Sequence, residues 1–332
     1  MADFSKNRAL ALYNILQQHT DENHQLSMQE ILTIMENSGH SCSEDSILRY
    51  MKQLRTEMGV DIISGRGRNS RYYIGSRLLE KEELKLLIDS INASNFIEKS
   101  VATKMIDKLK GTTSIYEGAE LDRTVLGITV AKTENRKILY NVNLIQEALN
   151  KKVQINFDSM RWNEKKELVK SNSHRQRMYP WALLWANDRY YLYGYDIVEK
   201  DGIYRERHYR VDKLANIELT DIPRKGEKQF QSFRADTYVA RRMGMFAGEE
   251  HLITVKAPES LVGAFIDQYG KRITITGAEE GKVFIKFTAV PSPILLGWLV
   301  GLRNVEVVEP AGVREDMIQM LKNHMACYSE GN

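Results

Sequence analysis

The sequence predicts a multidomain α+β protein, and three features carry that prediction. The first 75 residues hold three helical patterns followed by a glycine- and arginine-rich hairpin. Short alternating stretches crowded with tyrosine, centred on "WANDRYYLYGYD" (185–196), predict a small barrel of twisted antiparallel strands. Beyond them, strand-like and helix-like segments alternate toward the C-terminus. The expected divisions are 1–75, a helical connector over 76–150, the barrel over 151–222, and a linker with a C-terminal α+β extension over 223–332.

Length and composition agree with such a chain. Its 332 residues suit two or three domains. Apolar residues make up 42% and charged residues 27%, the balance of a folded protein. The longest apolar run, "PILLGWLVGL", is shorter than the roughly 18 residues a membrane span needs. No signal peptide is expected from the amphipathic start "MADFSKNRALALYN". Cys42 and Cys327 are the only cysteines, and their wide separation suits a reducing cytosol. The seven histidines are scattered, so no metal site is expected.

In "SKNRALALYNILQQHT", Leu10, Tyr13 and Leu16 recur at helical spacing, with Ala9, Leu12 and Ile15 widening the stripe. "LSMQEILTIMENSG" reads as a second helix, capped by Ser27 with Glu30 three residues on, and Gly39 past its end. "SCSEDSILRYMKQLRTEMG" reads as a third, with Ser41 and Glu44 at capping-box spacing and Gly59 after its last turn. Its inner face is expected to be Ile47, Met51, Leu54 and Met58. Arg49, Lys52, Gln53 and Thr56 then point outward, with Ser46 and Tyr50 near the boundary. Two strands follow, Val60–Ser64 and Arg71–Ile74, around the tip "GRGRNS". From Arg49 to Arg71 six basic residues stand against two acidic, a local charge of +4. Three helices and a basic hairpin are the order of a winged helix-turn-helix. The expected contacts to double-stranded DNA are Ser46, Arg49, Tyr50, Lys52 and Gln53 on the helix, with Arg66, Arg68, Asn69 and Arg71 on the wing. A nucleotide-binding glycine loop does not fit, because the sixth position is Ser70 and a strand follows.

The connector shows two apolar stripes. Leu84, Leu87, Ile88 and Ile91 form one; Val101, Met105, Ile106 and Leu109 form the other. "NVNLIQEALNKK" adds a short helix, and the stretch before it is ambiguous. This region links the domains and is a candidate for dimerisation.

In the barrel, "KKVQINFDSM" alternates as a strand, and "RQRMYPWALLWANDRYYLYGYD" reads as a hairpin turning at Asn187–Asp188. Period two places Tyr191, Tyr193 and Tyr195 on one face, with Tyr190, Leu192 and Gly194 on the other. Arginines crowd the same segment, and arginine beside tyrosine suits phosphates and stacked bases.

Here the sequence resembles a family. Pro180 to Leu183, "DRYYLYGY" and "RHYRVDKL" together look like the WYL-domain transcriptional regulators. Tyr190-Tyr191-Leu192 stands where the family has Trp-Tyr-Leu, and Tyr209-Arg210-Val211-Asp212-Lys213 where it has Phe-Arg-Leu-Asp-Arg. Both departures keep the chemical type. The resemblance covers nearly the whole chain. It implies an N-terminal winged helix, an Sm-like five-stranded WYL barrel and a C-terminal extension. It also implies a ligand-sensing barrel whose ligand is in some members a nucleic acid. Tyr191, Arg207 and Arg210 map onto the family's motif. Tyr193, His208, Arg175 and Arg177 join the expected ligand set by proximity.

In the last part, "PRKGEKQFQSF" reads as a polar linker and "RADTYVARRMGMFAG" as a short helix. "HLITVKAP" and "KVFIKFTAV" read as strands, and "SLVGAFIDQYG" and "VREDMIQMLKNHMACY" as amphipathic helices. This part is mildly acidic and resembles the extension that follows many WYL domains.

The expected function is a cytoplasmic, dimeric, DNA-binding regulator that senses an anionic effector, with a nucleotide or single-stranded nucleic acid among the candidates. No enzyme, cofactor or membrane partner is expected, since no Walker loop, nucleophile elbow or zinc-protease motif is present. The alternatives are an RNA-binding Sm-like protein or a nucleotide-acting enzyme.

Overall fold

The computed structural model describes residues 2–65, 67, 69–121, 132–197, 204–277 and 281–329. Arg66 and Arg68, two of the arginines expected to contact DNA, lie outside the described residues. The chain divides into two compact units, 1–136 and 137–332.

The first unit opens with α1 (Ala2–His19), β1 (Leu26–Ser27), α2 (Met28–Asn37) and α3 (Glu44–Met58). Leu12, Leu16, Ile31, Met35, Ile47, Met51 and Leu54 form their common core. The capping box expected at α2 is present: Glu30 N donates to Ser27 Oγ (3.3 Å), and Ser27 N donates to Glu30 Oε2 (2.7 Å). At α3 the structure corrects the sequence reading. The cap is Ser43, whose hydroxyl accepts from Ser46 N, and the Ser41–Glu44 box does not form. The inner face is also rotated. Tyr50 is 2% exposed and belongs to the core, whereas Met58 is 57% exposed. Gly59, at φ 66°, turns the chain away one turn beyond Leu54, so Met58 has no core left to face.

β2 (Ile62–Ser64) and β3 (Arg71–Ile74) form the expected hairpin, and β1 adds to β3 in an antiparallel sheet of order β1-β3-β2. Arg55 fastens α3 to this sheet through two donations to the Ile62 carbonyl (3.0 and 2.6 Å). The connector supplies α4 (Lys81–Ala93), α5 (Lys99–Lys110) and α6 (Ile115–Glu120). Leu84, Ile88 and Leu121 form a small core of their own. Of the first stripe, Leu87 is exposed. Polar contacts bind connector to α1: Ser114 Oγ donates to Asp21 (2.5 Å), Gln17 Nε2 to the Thr112 carbonyl (2.7 Å), and Arg77 to the carbonyls of Gln17 and Thr20.

The second unit starts at α7 (Ile138–Lys151), which begins earlier than its sequence pattern suggests and buries Ile138, Ile145 and Ala148. Then come β4 (Val153–Trp162), β5 (Leu168–Lys170), β6 (Gln176–Ala186), β7 (Arg189–Ile197), β8 (Tyr204–Arg210) and β9 (Leu214–Pro223). They build one curled antiparallel sheet, β5-β4-β6-β7-β8, with β9 also paired to β4. A single 3-10 turn, Val211–Lys213, joins β8 to β9. The β6–β7 turn falls at Asn187 and Asp188 as expected, with φ 49° and 55°. Gly194 is a close-approach position: a Cβ there would lie 2.0 Å from the Tyr179 carbonyl oxygen, beside a register shift between Pro180 and Ala182.

The segment read as a polar linker is structured and carries α8 (Glu227–Phe230). The segment read as a short helix carries α9 (Ala235–Ala240) and then a 3-10 turn at Met243–Met245, and the two segments together pack as a strap on the tyrosine strand. The last part contains β10 (His251–Pro258), α10 (Val262–Tyr269), β11 (Thr274–Gly277), β12 (Lys282–Ala289), α11 (Pro293–Gly301), β13 (Glu306–Glu309) and α12 (Ala311–Ser329). Its antiparallel sheet has the order β11-β12-β10-β13. Phe265, Ile285, Leu295, Leu299 and Val313 fill its core. The apolar run "PILLGWLVGL" is therefore a core helix, and among the described residues no helix is long and apolar enough to cross a membrane.

Candidate functional site

Two places collect the residues singled out in the sequence. The first is the outer side of α3. Arg49 and Lys52 are exposed, and neither has a carboxylate partner among the described residues. Gln53 is half-buried and donates to Glu57 (3.0 Å). Ser46 sits in the first turn, 3.0 Å from the Ser43 hydroxyl. Tyr50 is withdrawn from this set, because its ring is core; the Arg49 guanidinium lies 5.4 Å from that ring. On the hairpin, Asn69 is exposed. Arg71 is exposed as well, but it donates to the Gln25 carbonyl (2.7 Å) and lies 3.7 Å from Glu30.

The second place is the tyrosine face of β7. The expected alternation holds, but the face is not open. Tyr191, Tyr193 and Tyr195 are all buried, Tyr193 to 1% exposure. The strap covers them: Phe233 stacks on Tyr193 with centroids 4.3 Å apart, and Tyr238 meets Tyr193 edge-on. The phenols find a shared acceptor in Glu206, which takes Tyr238 Oη at 2.7 Å and Tyr193 Oη at 3.1 Å. Burial, the Tyr195 bond and the Glu206 charge all push the Tyr193 phenol far above its ordinary value.

Strand parity separates the expected ligand residues. Arg210 is paired with Tyr191 and His208 with Tyr193, whereas Arg207 is opposite Gly194. Arg207 therefore belongs to the other face, where its Nε donates to Asp196 (3.1 Å). Burial raises the Asp196 pKa against the pull of Arg207. Tyr209 on the same face is pushed up to about 12, mainly by burial. Arg175 is a brace between strands: it pairs with Glu218 at 2.5 Å and donates to the Asn216 carbonyl. Arg177 is exposed near the start of β6.

Tyr191, His208 and Arg210 meet at a cavity of about 420 Å³, whose opposite wall is the strap from Gly244 to Ala247. Arg210 holds Asp212 through two hydrogen bonds (3.0 and 2.7 Å), which raise the arginine's pKa. His208 spans to the strap, with Nδ1 3.2 Å from Tyr238 Oη and Nε2 against the Met245 carbonyl; burial lowers its pKa. Lys213 also lines the cavity and sits 4.2 Å from the Trp162 ring. Lys213 belongs to the quoted "RHYRVDKL" but is not in the ligand set expected from the sequence. The sequence expectation also lacks the aromatic cover of the tyrosine strand, where Phe230 packs on Trp181 and Phe233 on Tyr193. Tyr193 lines a separate cavity of about 450 Å³ with Glu206, Arg241 and Arg242.

No family model and no curated protein matches the chain. Among solved structures, it is similar to proteasome accessory factor B/C (PafBC) of Arthrobacter aurescens, at 15% identity over 94% of this chain and 47% of that one, with a TM-score of 0.29. The chain thus spans about half the length of PafBC. A CRISPR Cas-related protein matches at 12% identity over 95% of this chain and 98% of that one, with a TM-score of 0.37. At TM-scores this low, neither likeness carries weight for what this chain does.

Proposed function

We propose that this protein is a WYL-type transcriptional regulator that binds double-stranded DNA through α3 and the following hairpin. The observation that carries the reading is the split character of α3. Its inner side is core, while Arg49 and Lys52 stand outward without carboxylate partners among the described residues. Such a helix can enter a major groove, with its cations on phosphates or base edges. Arg66 and Arg68 at the hairpin tip would reach the adjoining backbone. The order of α7, β4, β6, β7, β8, a 3-10 turn and β9 supports the Sm-like reading of the barrel. The cavity beside Tyr191 and Arg210 is the proposed effector site. An anionic effector would compete with Asp212 for Arg210 and touch the strap at the same time. It would shift the protein between two arrangements only through unequal affinity for them.

The test is a titration of promoter duplex over several salt concentrations. Arg49→Ala with Lys52→Ala is expected to weaken binding and flatten the log–log salt slope by about 1–2. An unchanged slope removes α3 from the interface.

A further inference from the structure

The cavity of about 450 Å³ beside the strap shares no lining residue with the one at Tyr191 and Arg210. Its size suits a small organic molecule. Three arginines line it, Arg234, Arg241 and Arg242, against two glutamates, Glu206 and Glu250, which leaves a charge of +1.

Those charges are unevenly matched. Glu250 serves two cations at once: Oε2 accepts from Arg241 Nη1 (2.7 Å) and Oε1 from Arg242 Nη1 (2.6 Å). Burial pushes its carboxyl up, but the bonds from Arg241 and Arg242 outweigh burial and hold it below its ordinary range. Glu206 already accepts from Tyr193 and Tyr238, and it stands 3.8 Å from Arg242 Nη2. Arg242 is 6% exposed, and its Nε is buried without an acceptor among the described residues. Its guanidinium lies 3.7 Å from the centre of the Tyr238 ring. A buried cation with an orphaned N–H makes the cavity electropositive, because little solvent screens it. Arg241 is more open. Its side chain is 38% exposed, and among the described residues only its Nη1 is engaged. The rest of its guanidinium fork can take a second carboxylate. Phe233 and Tyr238 add an aromatic lining for a flat body.

We propose that this cavity binds a small organic monoanion, with one carboxylate forked onto Arg241 and a flat body along Phe233. One negative charge is what the lining lacks. Arg242 does not touch the ligand. It holds Glu250 in place and supplies the buried charge that the carboxylate offsets. Arg241 belongs to the strap and Glu250 stands directly before β10, so an occupant also stiffens the junction between strap and C-terminal sheet. Neither DNA binding by α3 nor an effector at Arg210 is needed for it.

Isothermal titration of the full chain with benzoate, and with benzamide as its uncharged counterpart, tests this at constant ionic strength. Benzoate is expected to fill one saturable site and to slow hydrogen exchange over residues 234–250, and benzamide to do neither. Arg241→Gln, at a partly exposed position, is expected to weaken benzoate about tenfold, and Arg210→Ala to leave it unchanged. Glu250→Gln releases both arginines and is expected to tighten benzoate severalfold. A loosened strap would instead weaken it in both the Arg241 and the Glu250 variants, and that result overturns the site. So does the lack of saturable benzoate binding, equal binding of benzamide, or indifference to Arg241→Gln. Loss of benzoate in Arg210→Ala assigns the anion to the other cavity, which overturns this site and leaves the effector reading standing. Benzoate held through Arg241, with no anion that depends on Arg210, keeps this site and removes the effector reading.

Discussion

The outer side of α3 and the tyrosine face of β7 are built from overlapping residue types, yet they differ in what those residues already hold. On α3, Arg49 and Lys52 are exposed, with no carboxylate against them among the described residues. At the barrel, Arg210 is bound to Asp212, Arg207 to Asp196, and Arg175 to Glu218. The phenols beside them are roofed by the strap. A cluster of cations in sequence is therefore not by itself a positive surface. The α3 face can gain a phosphate without first losing a partner. The barrel can take an anion only by exchange, and the strap must tolerate the exchange.

The sharpest way to break this comparison is Tyr193→Ala. If the tyrosine face is internal packing, the variant loses about 3–5 kcal/mol in urea unfolding. An open binding wall would cost far less stability. Asp21→Asn probes the first unit, where a buried carboxylate gathers donors. Burial raises its pKa, but the bonds from Ser114, His24 and Asn23 outweigh burial and leave it below 3.8. A lowered folded-state pKa means the stabilisation is complete above the unfolded value and disappears as pH falls through the folded one. Asp21→Asn is expected to cost about 1–3 kcal/mol at neutral pH and to blunt the acid limb of the stability curve. A smaller effect sharpens the barrel side. Arg210→Ala should weaken an anionic effector about tenfold in thermal-shift titration, whereas Arg207→Ala, on the opposite face, should leave it unchanged. Equal loss in both variants would place the effector elsewhere. The smallest effect is spectroscopic: Tyr209→Phe should remove one phenol from the ionisation step near 12 in an alkaline absorbance titration, with little change in fold.

Local signals in the sequence were read well where the cause is local. Ser27 with Glu30 marks a helix start, Gly59 a helix end, and Asn187–Asp188 a hairpin, because each is decided within a few residues. Ser41 and Ser43 both stand at plausible capping positions before α3, and only the backbone decides between them. The exchange of Met58 for Tyr50 in the core depends on where the sheet lies, which is a tertiary matter. The parity that separates Arg207 from Arg210 is present in the sequence as an odd spacing of three residues. Their carboxylate partners were harder to place, because proximity along the chain does not reveal which face a side chain occupies. The strap was missed for a related reason. Phe230 and Phe233 look like strays in a polar stretch until Trp181 and Tyr193 are brought beneath them.

Gly194 gives the sheet one point of no tolerance. Even alanine there would drive its methyl carbon into the neighbouring peptide oxygen, so β6 and β7 would have to spread or slide. The bend that cups the phenols beneath their roof would flatten with them. An engineer could exchange aromatic rings along this wall one by one, but the missing side chain between Tyr193 and Tyr195 would have to stay missing.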